Sequence, residues 1–285
     1  MIAFPRMTVP QILQRCSRLP VCPDLYTKLT TALQQPTQNI CDLGKIISMD
    51  PVLTGKVLKT ANSAGFGLSH TVRSVDDAII RLGFEEIFSI AAAARAKDLF
   101  ASNEQWESFG QSCWAHSLTT AVIARILARK VVKRRVEDAF FTAALLHDFG
   151  KLLLAQIDIS YPVLCDYGAI FGEELYEREM VRYGASHAHV GGELMRRWNM
   201  PSMIVSAVEH HHQPVSETEP LDMSRLVVGA ANILVHETQS AQQQGNEDAV
   251  PKLPPIIMER LSMSQDDIAV ALTEAARQIG AMEFI

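Results

Sequence analysis

Cysteine is scarce in this chain, and nothing in its spacing pairs it. The five cysteines, Cys16, Cys22, Cys41, Cys113 and Cys165, form no CxxC, and none has a flanking feature that flags a lowered thiol pKa. Neither a disulfide scaffold nor a thiol nucleophile is expected. The start, MIAFPRMTVP, lacks a basic stretch followed by a long apolar one, which predicts a cytoplasmic protein with free thiols. The longest apolar runs are cut by charge before they could cross a bilayer, so no membrane segment is expected. A basic surplus is missing too: the formal net charge is -6, which argues against DNA as a partner, because tracking a nucleic-acid backbone needs a dense basic patch. Ser63 and Ser69 have no GxSxG elbow or phosphate loop around them, and no internal repeat or second catalytic motif stands out.

What remains is helical period almost throughout. With 285 residues there is enough apolar surface for one large domain or two modest ones. Residues 42–60 place Leu43, Ile46, Ile47, Leu53, Val57 and Leu58 near an i, i+3, i+4 pattern with a break at Asp50-Pro51, so two helices joined by a corner are expected. Asn62 to Gly67 reads as a turn, and Val75 to Ala94 as helix again with Gly83 at a boundary. Further helices are expected at about 112–130, 136–148, 160–182, 186–198, 201–212 and 224–238. Residues 239–255 read as an exposed loop, and a last helix runs from a capping box at Ser264 and Asp267 toward Ile285. The fold class is all-α.

One stretch is out of place in such a core. Leu145-Leu146-His147-Asp148-Phe149-Gly150-Lys151 sets an imidazole and a carboxylate side by side at the end of an apolar helix, and neither belongs in a dry interior without a partner. Gly150 is expected to end that helix, with Lys151 just past it, either touching a bound phosphate oxygen or complementing the helix C-terminus. Partners are at hand. His116 shares a face with Thr119, Thr120, Ile123 and Leu127; alone there it would read as a satisfied core histidine. Ser186 caps a helix whose first turn carries His187 in line with Val190, Gly191, Leu194 and Trp198, whereas His189 falls on the outer side. Pro201 fits the first position of the next helix, and Ile204 and Val208 lead to His211 and His212, with His210 offset. Asn232 lies in another buried helix. Imidazole, carboxylate and amide oxygen together suit a divalent transition metal: iron, manganese, nickel or zinc. The basic run Arg129 to Arg135 either complements a helix end or docks a nucleotide or anionic small molecule.

These motifs resemble the HDOD domain, a relative of the HD and HD-GYP metal-dependent phosphohydrolases, over about residues 12–238. The likeness rests on Leu19-Pro20, Ile47-Ser48-Met49-Asp50-Pro51, Leu58-Lys59-Thr60-Ala61-Asn62-Ser63-Ala64, Ser74-Val75-Asp76-Asp77-Ala78-Ile79 and Leu82-Gly83. It continues through His147-Asp148-Phe149-Gly150-Lys151, Glu179, Gly184, His187-Ala188-His189-Val190-Gly191, Trp198-Asn199-Met200-Pro201 and His211-His212-Gln213-Pro214. The resemblance implies two helical lobes, set here at 1–108 and 109–238, with 239–285 packing on them. It implies metal ligation by His116, His147, Asp148, His187, His211, His212 and Asn232, and, in an active enzyme, catalytic roles for His147, Asp148 and Lys151. Asn232 stands where those hydrolases carry aspartate, which leaves Asp148 as the one carboxylate of the shell and room for one ion or none. The implied role is regulatory: contact with signalling proteins, with hydrolysis of a nucleotide-type phosphoester as the alternative. Glu179 either orients a ligand or pairs with Arg178 or Arg182.

Overall fold

The computed structural model describes residues 6–16, 44, 47–48, 51–62, 72–83, 86–93, 107–132, 137–165, 172–215, 220–246 and 250–282. Among these residues every regular element is helical. In chain order they are α1 (Val9–Arg15), α2 (Pro51–Ala61), α3 (Val75–Leu82), α4 (Glu107–Val131), α5 (Glu137–Leu146), α6 (Phe149–Ile157) and α7 (Tyr161–Leu164). Then come α8 (Gly172–Tyr183), α9 (His187–Arg197), α10 (Ser202–His210), α11 (Met223–Gln243), α12 (Pro255–Leu261) and α13 (Gln265–Met282). A further helical run covers 86–93.

Helix α4 is the spine. It packs against α5, α11 and α13, while α9 lies on α6 and α10, and α10 on α5 and α11. The apolar stripes explain the arrangement. Ala121, Val122, Ala124 and Leu127 of α4 are fully buried or nearly so, as are Phe141, Ala144 and Leu145 of α5 and Val227, Val228, Ala230 and Ala231 of α11. Small residues among them let the helices approach closely and leave polar side chains room at the centre. Helix α1 rests on α6 and α9 rather than on α2 or α3, and the Met7 amide donates to the Tyr183 carbonyl at 2.8 Å. Arg125, completely buried, ties three segments together: its guanidinium reaches Ser89 and, at 3.1 Å, Glu86 from the 86–93 run, and donates to Gln278 of α13 at 2.6 Å.

Several expectations shift. The helix expected at 136–148 stops at Leu146; His147 and Asp148 form a turn, and α6 starts immediately after. Gly150 therefore ends nothing. It sits in the first turn of α6, where a Cβ would stand 2.0 Å from the His187 carbonyl oxygen, so glycine is what lets α6 and α9 touch. Lys151 is inside α6 and buried. The span 160–182 is two helices, α7 and α8, and α11 runs on to Gln243. The loop expected at 239–255 is in part packed, since Pro251 and Leu253 are buried, and α12 follows it. Pro201 is the N-cap of α10 rather than its first residue.

Other expectations stand. The helix from Val75 ends at Leu82 before Gly83, whose φ is +88°, and helix is present again over 86–93; Ser186 caps α9 by accepting from the His189 amide; and Ser264 and Asp267 exchange capping bonds. The stretch Ala139–Ile157 has the length and hydropathy of a membrane span, but 83% of its most apolar window is buried and a turn divides it, as befits a core pair of helices. Leu43, Ile46, Ser63, Ser69 and Lys133 to Arg135 lie outside the described residues. The two described cations of the basic run are turned toward α13: Lys130 meets Asp267 at 3.0 Å and Arg129 meets Glu274 at 3.8 Å.

Candidate metal centre

The residues singled out in sequence converge. His116 comes from α4, His147 and Asp148 from the turn between α5 and α6, His187 from the start of α9, His211 and His212 from the turn that ends α10, and Asn232 from α11. All but His212, which is half-buried, are buried.

Two groups of donor atoms lie close enough to hold an ion each: His116, His147 and Asp148, and His187, His211 and His212. Asp148 faces both. Its Oδ2 is 3.4 Å from His116 Nε2 and 3.4 Å from His147 Nε2, and its Oδ1 is 3.1 Å from His187 Nε2. Within the groups, His116 and His147 Nε2 are 3.3 Å apart, His187 and His211 Nε2 3.3 Å, and His187 and His212 Nε2 2.9 Å. A metal–nitrogen bond of about 2.0–2.1 Å sets neighbouring ligand atoms about 2.9–3.4 Å apart in octahedral or tetrahedral geometry. The spacing observed is that spacing.

Tautomers sharpen the fit. His147 Nδ1 faces the Ala144 carbonyl at 2.6 Å and His211 Nδ1 faces the Val208 carbonyl at 2.8 Å. A carbonyl only accepts, so these Nδ1 atoms donate, and in the neutral ring Nε2 is left with a bare lone pair. His187 Nδ1 likewise meets the Glu179 carboxylate at 2.7 Å. Two inward-facing lone pairs, those of His147 and His211, thus share the centre with Asp148, while His187, drawn toward its charged form by Glu179 and Asp148, turns Nε2 toward Asp148 Oδ1 at 3.1 Å. A cation between them resolves that conflict.

The electrostatics agree. Burial pushes His116 down to about 3, and it holds His147, His211 and His212 below the ordinary imidazole range, the last two further depressed by neighbouring histidines. These rings are neutral; His116 Nε2 faces the acceptor-only Asn232 Oδ1 at 2.9 Å, so in the metal-free ring that nitrogen donates and would give up its proton to an ion. Burial works against the Asp148 carboxylate, but His147, Lys151 and His187 outweigh it and hold the group well below the usual carboxylate range. Burial also works against charge on His187, and Glu179 and Asp148 overcome it. Lys151 Nζ donates to Asp148 Oδ2 at 2.6 Å, so it faces the centre instead of a helix end.

Glu179 is settled by geometry. Completely buried, it accepts from the His187 amide at 2.8 Å, from His187 Nδ1, and from the Tyr161 hydroxyl. The arginines go elsewhere: Arg178 pairs with Glu174 and Arg182 with Asp158. His189 is half-buried, its Nδ1 against Ser186, rather than a surface residue. His236 joins the site unpredicted, although the i, i+4 spacing from Asn232 signals it: it sits one turn past Asn232 on α11, and its ring stacks on His116 at 4.5 Å between centroids. Asn232 Oδ1 lies 2.9 Å from His116 Nε2, beside the first donor group.

Known proteins carry the same architecture. The HDOD domain profile matches residues 19–214. The fold resembles an HDOD domain protein of unknown function from Geobacter sulfurreducens, with a TM-score of 0.75, 22% identity and 97% of each chain covered. It also resembles a protein described as a candidate phosphohydrolase from Shewanella amazonensis SB2B, with a TM-score of 0.68, 20% identity and 96% of each chain covered. Among curated relatives, ribonuclease Y of Sulfurovum sp. is 27% identical over 173 residues, covering 60% of this chain and 28% of that protein. The chain spans less than two fifths of the length of the curated relatives it matches.

Proposed function

Since the chain belongs to the HDOD family, we propose that it is a signal-transduction module whose HD-type metal centre serves structure and regulation, and that it acts by contact with a signalling protein or an anionic ligand. One observation carries this reading: the donor set is closed over. Only His212 is half-exposed, and Asp148, His147, His187 and His211 have essentially no solvent-accessible surface. A phosphoester needs open positions beside a catalytic ion. Asn232 brings an amide oxygen without charge to the first donor group, and Lys151 already neutralises Asp148; both limit the charge available to hold two ions. We place the module in the cytoplasm, where the buried thiols Cys16, Cys113 and Cys165 stay reduced.

The donor set fits iron, manganese, nickel or zinc, held by His116, His147, Asp148 and Asn232 or by His187, His211, His212 and Asp148. A second reading, a metal-dependent phosphohydrolase, is favoured by the donor spacing and by the preset tautomers. Bound there, such an ion supplies hydroxide near neutral pH and polarises a phosphoryl oxygen. Asp148 would bridge the two donor groups, and Lys151 would offer the nearest cation to a substrate oxygen. The test is phosphate release from a panel of phosphomonoesters and phosphodiesters with added Mn²⁺ or Fe²⁺. The module reading expects none above a His147→Ala control. Brisk turnover that disappears in His147→Ala and Asp148→Ala overturns it in favour of the enzyme.

A further inference from the structure

We propose that Glu179 is the second carboxylate of the metal centre, a positioning residue that acts through His187, and that it makes His187–His211–His212 the donor group that takes the first ion. This rests on the metal reading above and goes beyond it by ranking the two groups.

The two groups differ in what stands behind them. At His116–His147–Asp148, the shared oxygen Asp148 Oδ2 is already engaged by the Lys151 ammonium at 2.6 Å, and the nearby fourth group, Asn232, is neutral. An incoming divalent ion meets a carboxylate whose charge is largely cancelled. At His187–His211–His212 the arrangement is the reverse. Asp148 Oδ1 has no well-aligned hydrogen bond, and it stands 3.1 Å from His187 Nε2. Behind His187, Glu179 faces Nδ1 with both oxygens, at 2.9 Å and 2.7 Å, and also takes the backbone amide of His187 at 2.8 Å. Tyr161 donates to the same carboxylate from the far side.

That geometry fixes the ring in rotation and keeps the Nδ1 proton on the Glu179 side, so the proton that an incoming ion displaces is the one on Nε2, and the lone pair it leaves is aimed at the cavity. A carboxylate behind an imidazole also raises its basicity toward a metal, an arrangement that recurs in protein zinc sites. The charge that Asn232 does not supply on one side is supplied from Glu179 on the other, one ring removed. Burial strengthens the effect, because Glu179 and His187 have no solvent to screen them.

The test is a Co²⁺ titration of the chelator-stripped full chain, followed by visible absorbance and by competition with a chelator of known affinity. The wild type is expected to bind a first equivalent clearly tighter than a second. Glu179→Gln, which keeps size and shape, is expected to weaken the first equivalent about 10–100-fold and leave the second unchanged. In a His187→Ala background, Glu179→Gln is expected to add nothing, because its route to the ion is gone. An unchanged first equivalent in a folded Glu179→Gln protein overturns the proposal, and so does an effect that persists in His187→Ala. If Glu179→Gln does not fold, Glu179→Asp, which keeps the charge but withdraws it from Nδ1, is expected to weaken the first equivalent likewise; no change there overturns the proposal. Wild-type protein that takes up no Co²⁺ overturns the metal reading itself, whatever Glu179 does.

Discussion

Lys151 Nζ lies 2.6 Å from Asp148 Oδ2, on the oxygen that His116 and His147 face at 3.4 Å. In the metal-free protein this lysine is the cation on that oxygen, while His187, its pKa raised by Glu179 and Asp148, faces the other oxygen at 3.1 Å. Burial opposes the Lys151 ammonium and Asp148 outweighs that, so its pKa is raised while that of Asp148 is lowered. Removing one partner of a buried ion pair leaves the other uncompensated, at a cost of about 3–5 kcal/mol. Lys151→Met is therefore expected to lower the melting temperature of chelated protein sharply and to enlarge the stabilisation that added Zn²⁺ or Mn²⁺ gives, because a divalent ion then replaces the missing charge. Thermal scans of both proteins with chelator and with metal check this. An equal metal-induced shift in the two would count against it.

Asp158 predicts how the scaffold responds to acid. Its Oδ1 accepts from the Ser160 amide and hydroxyl, and its Oδ2 from Arg182 and the Tyr183 hydroxyl, which anchors α8 and with it Glu179. Burial raises the carboxyl pKa, but the Ser160, Tyr183 and Arg182 bonds prevail and lower it. A folded-state pKa below the unfolded one means that the stabilisation is complete above the unfolded value of about 4 and is lost as pH falls through the lower folded value. Asp158→Asn is expected to be less stable by about 1.5–3 kcal/mol at neutral pH, with the gap closing in acid. Urea midpoints of both proteins from pH 7 to pH 2 measure it; a gap that stays constant across that range would refute the assignment.

Gly150 shows what sequence periodicity could and could not convey. The alternation of apolar and polar positions is enough to place His116 and His187 on inward faces, because a helical period of 3.6 fixes direction along one element, whereas Asn232 enters the site through the family resemblance. It was also enough to make the chain all-α. It could not show that the helix before His147 stops at Leu146, since Phe149, Leu152, Leu153 and Leu154 continue an apolar run across the turn. Nor could it show why Gly150 is there. The reason is a carbonyl 37 positions on, 2.0 Å from where a Cβ would stand, and such contacts between distant elements leave no local trace. The same holds for Glu179, whose partner depended on how α8 faces α9. His236 is different: four residues past Asn232 on one helix, it shares that residue's face, a relation the sequence itself carries.

A test follows from the same glycine. Gly150→Ala forces α6 and α9 apart, because the obstacle is backbone: the His187 carbonyl and, at 3.0 Å, the Gly191 amide. Overpacking of this kind costs about 1–3 kcal/mol, and more where nothing can yield. The variant is expected to melt several degrees lower and, because His187 moves with its carbonyl, to lose metal affinity at His187–His211–His212. Measured together, melting temperature and metal content should both fall. A destabilised protein with undiminished metal binding would separate the helix contact from the centre.

Asn232→Asp asks whether charge limits the other donor group. Asn232 Oδ1 is 2.9 Å from His116 Nε2 and shares a buried site with Asp148. A carboxylate there would add one negative charge where a divalent ion faces three near-neutral groups, Lys151 having offset Asp148. Even screened by an effective dielectric constant near 20, unit charges about 4 Å apart interact by about 4 kcal/mol, while about 1.4 kcal/mol suffices for a tenfold change in affinity. The substitution is thus expected to tighten the His116–His147–Asp148 site by at least about tenfold. The same charge destabilises the metal-free protein, since two buried carboxylates then share one lysine. Metal titration and chelated melting curves should therefore move in opposite senses. If affinity does not rise while the metal-free protein weakens, the amide is a packing residue and the limit on this site is steric closure, not charge.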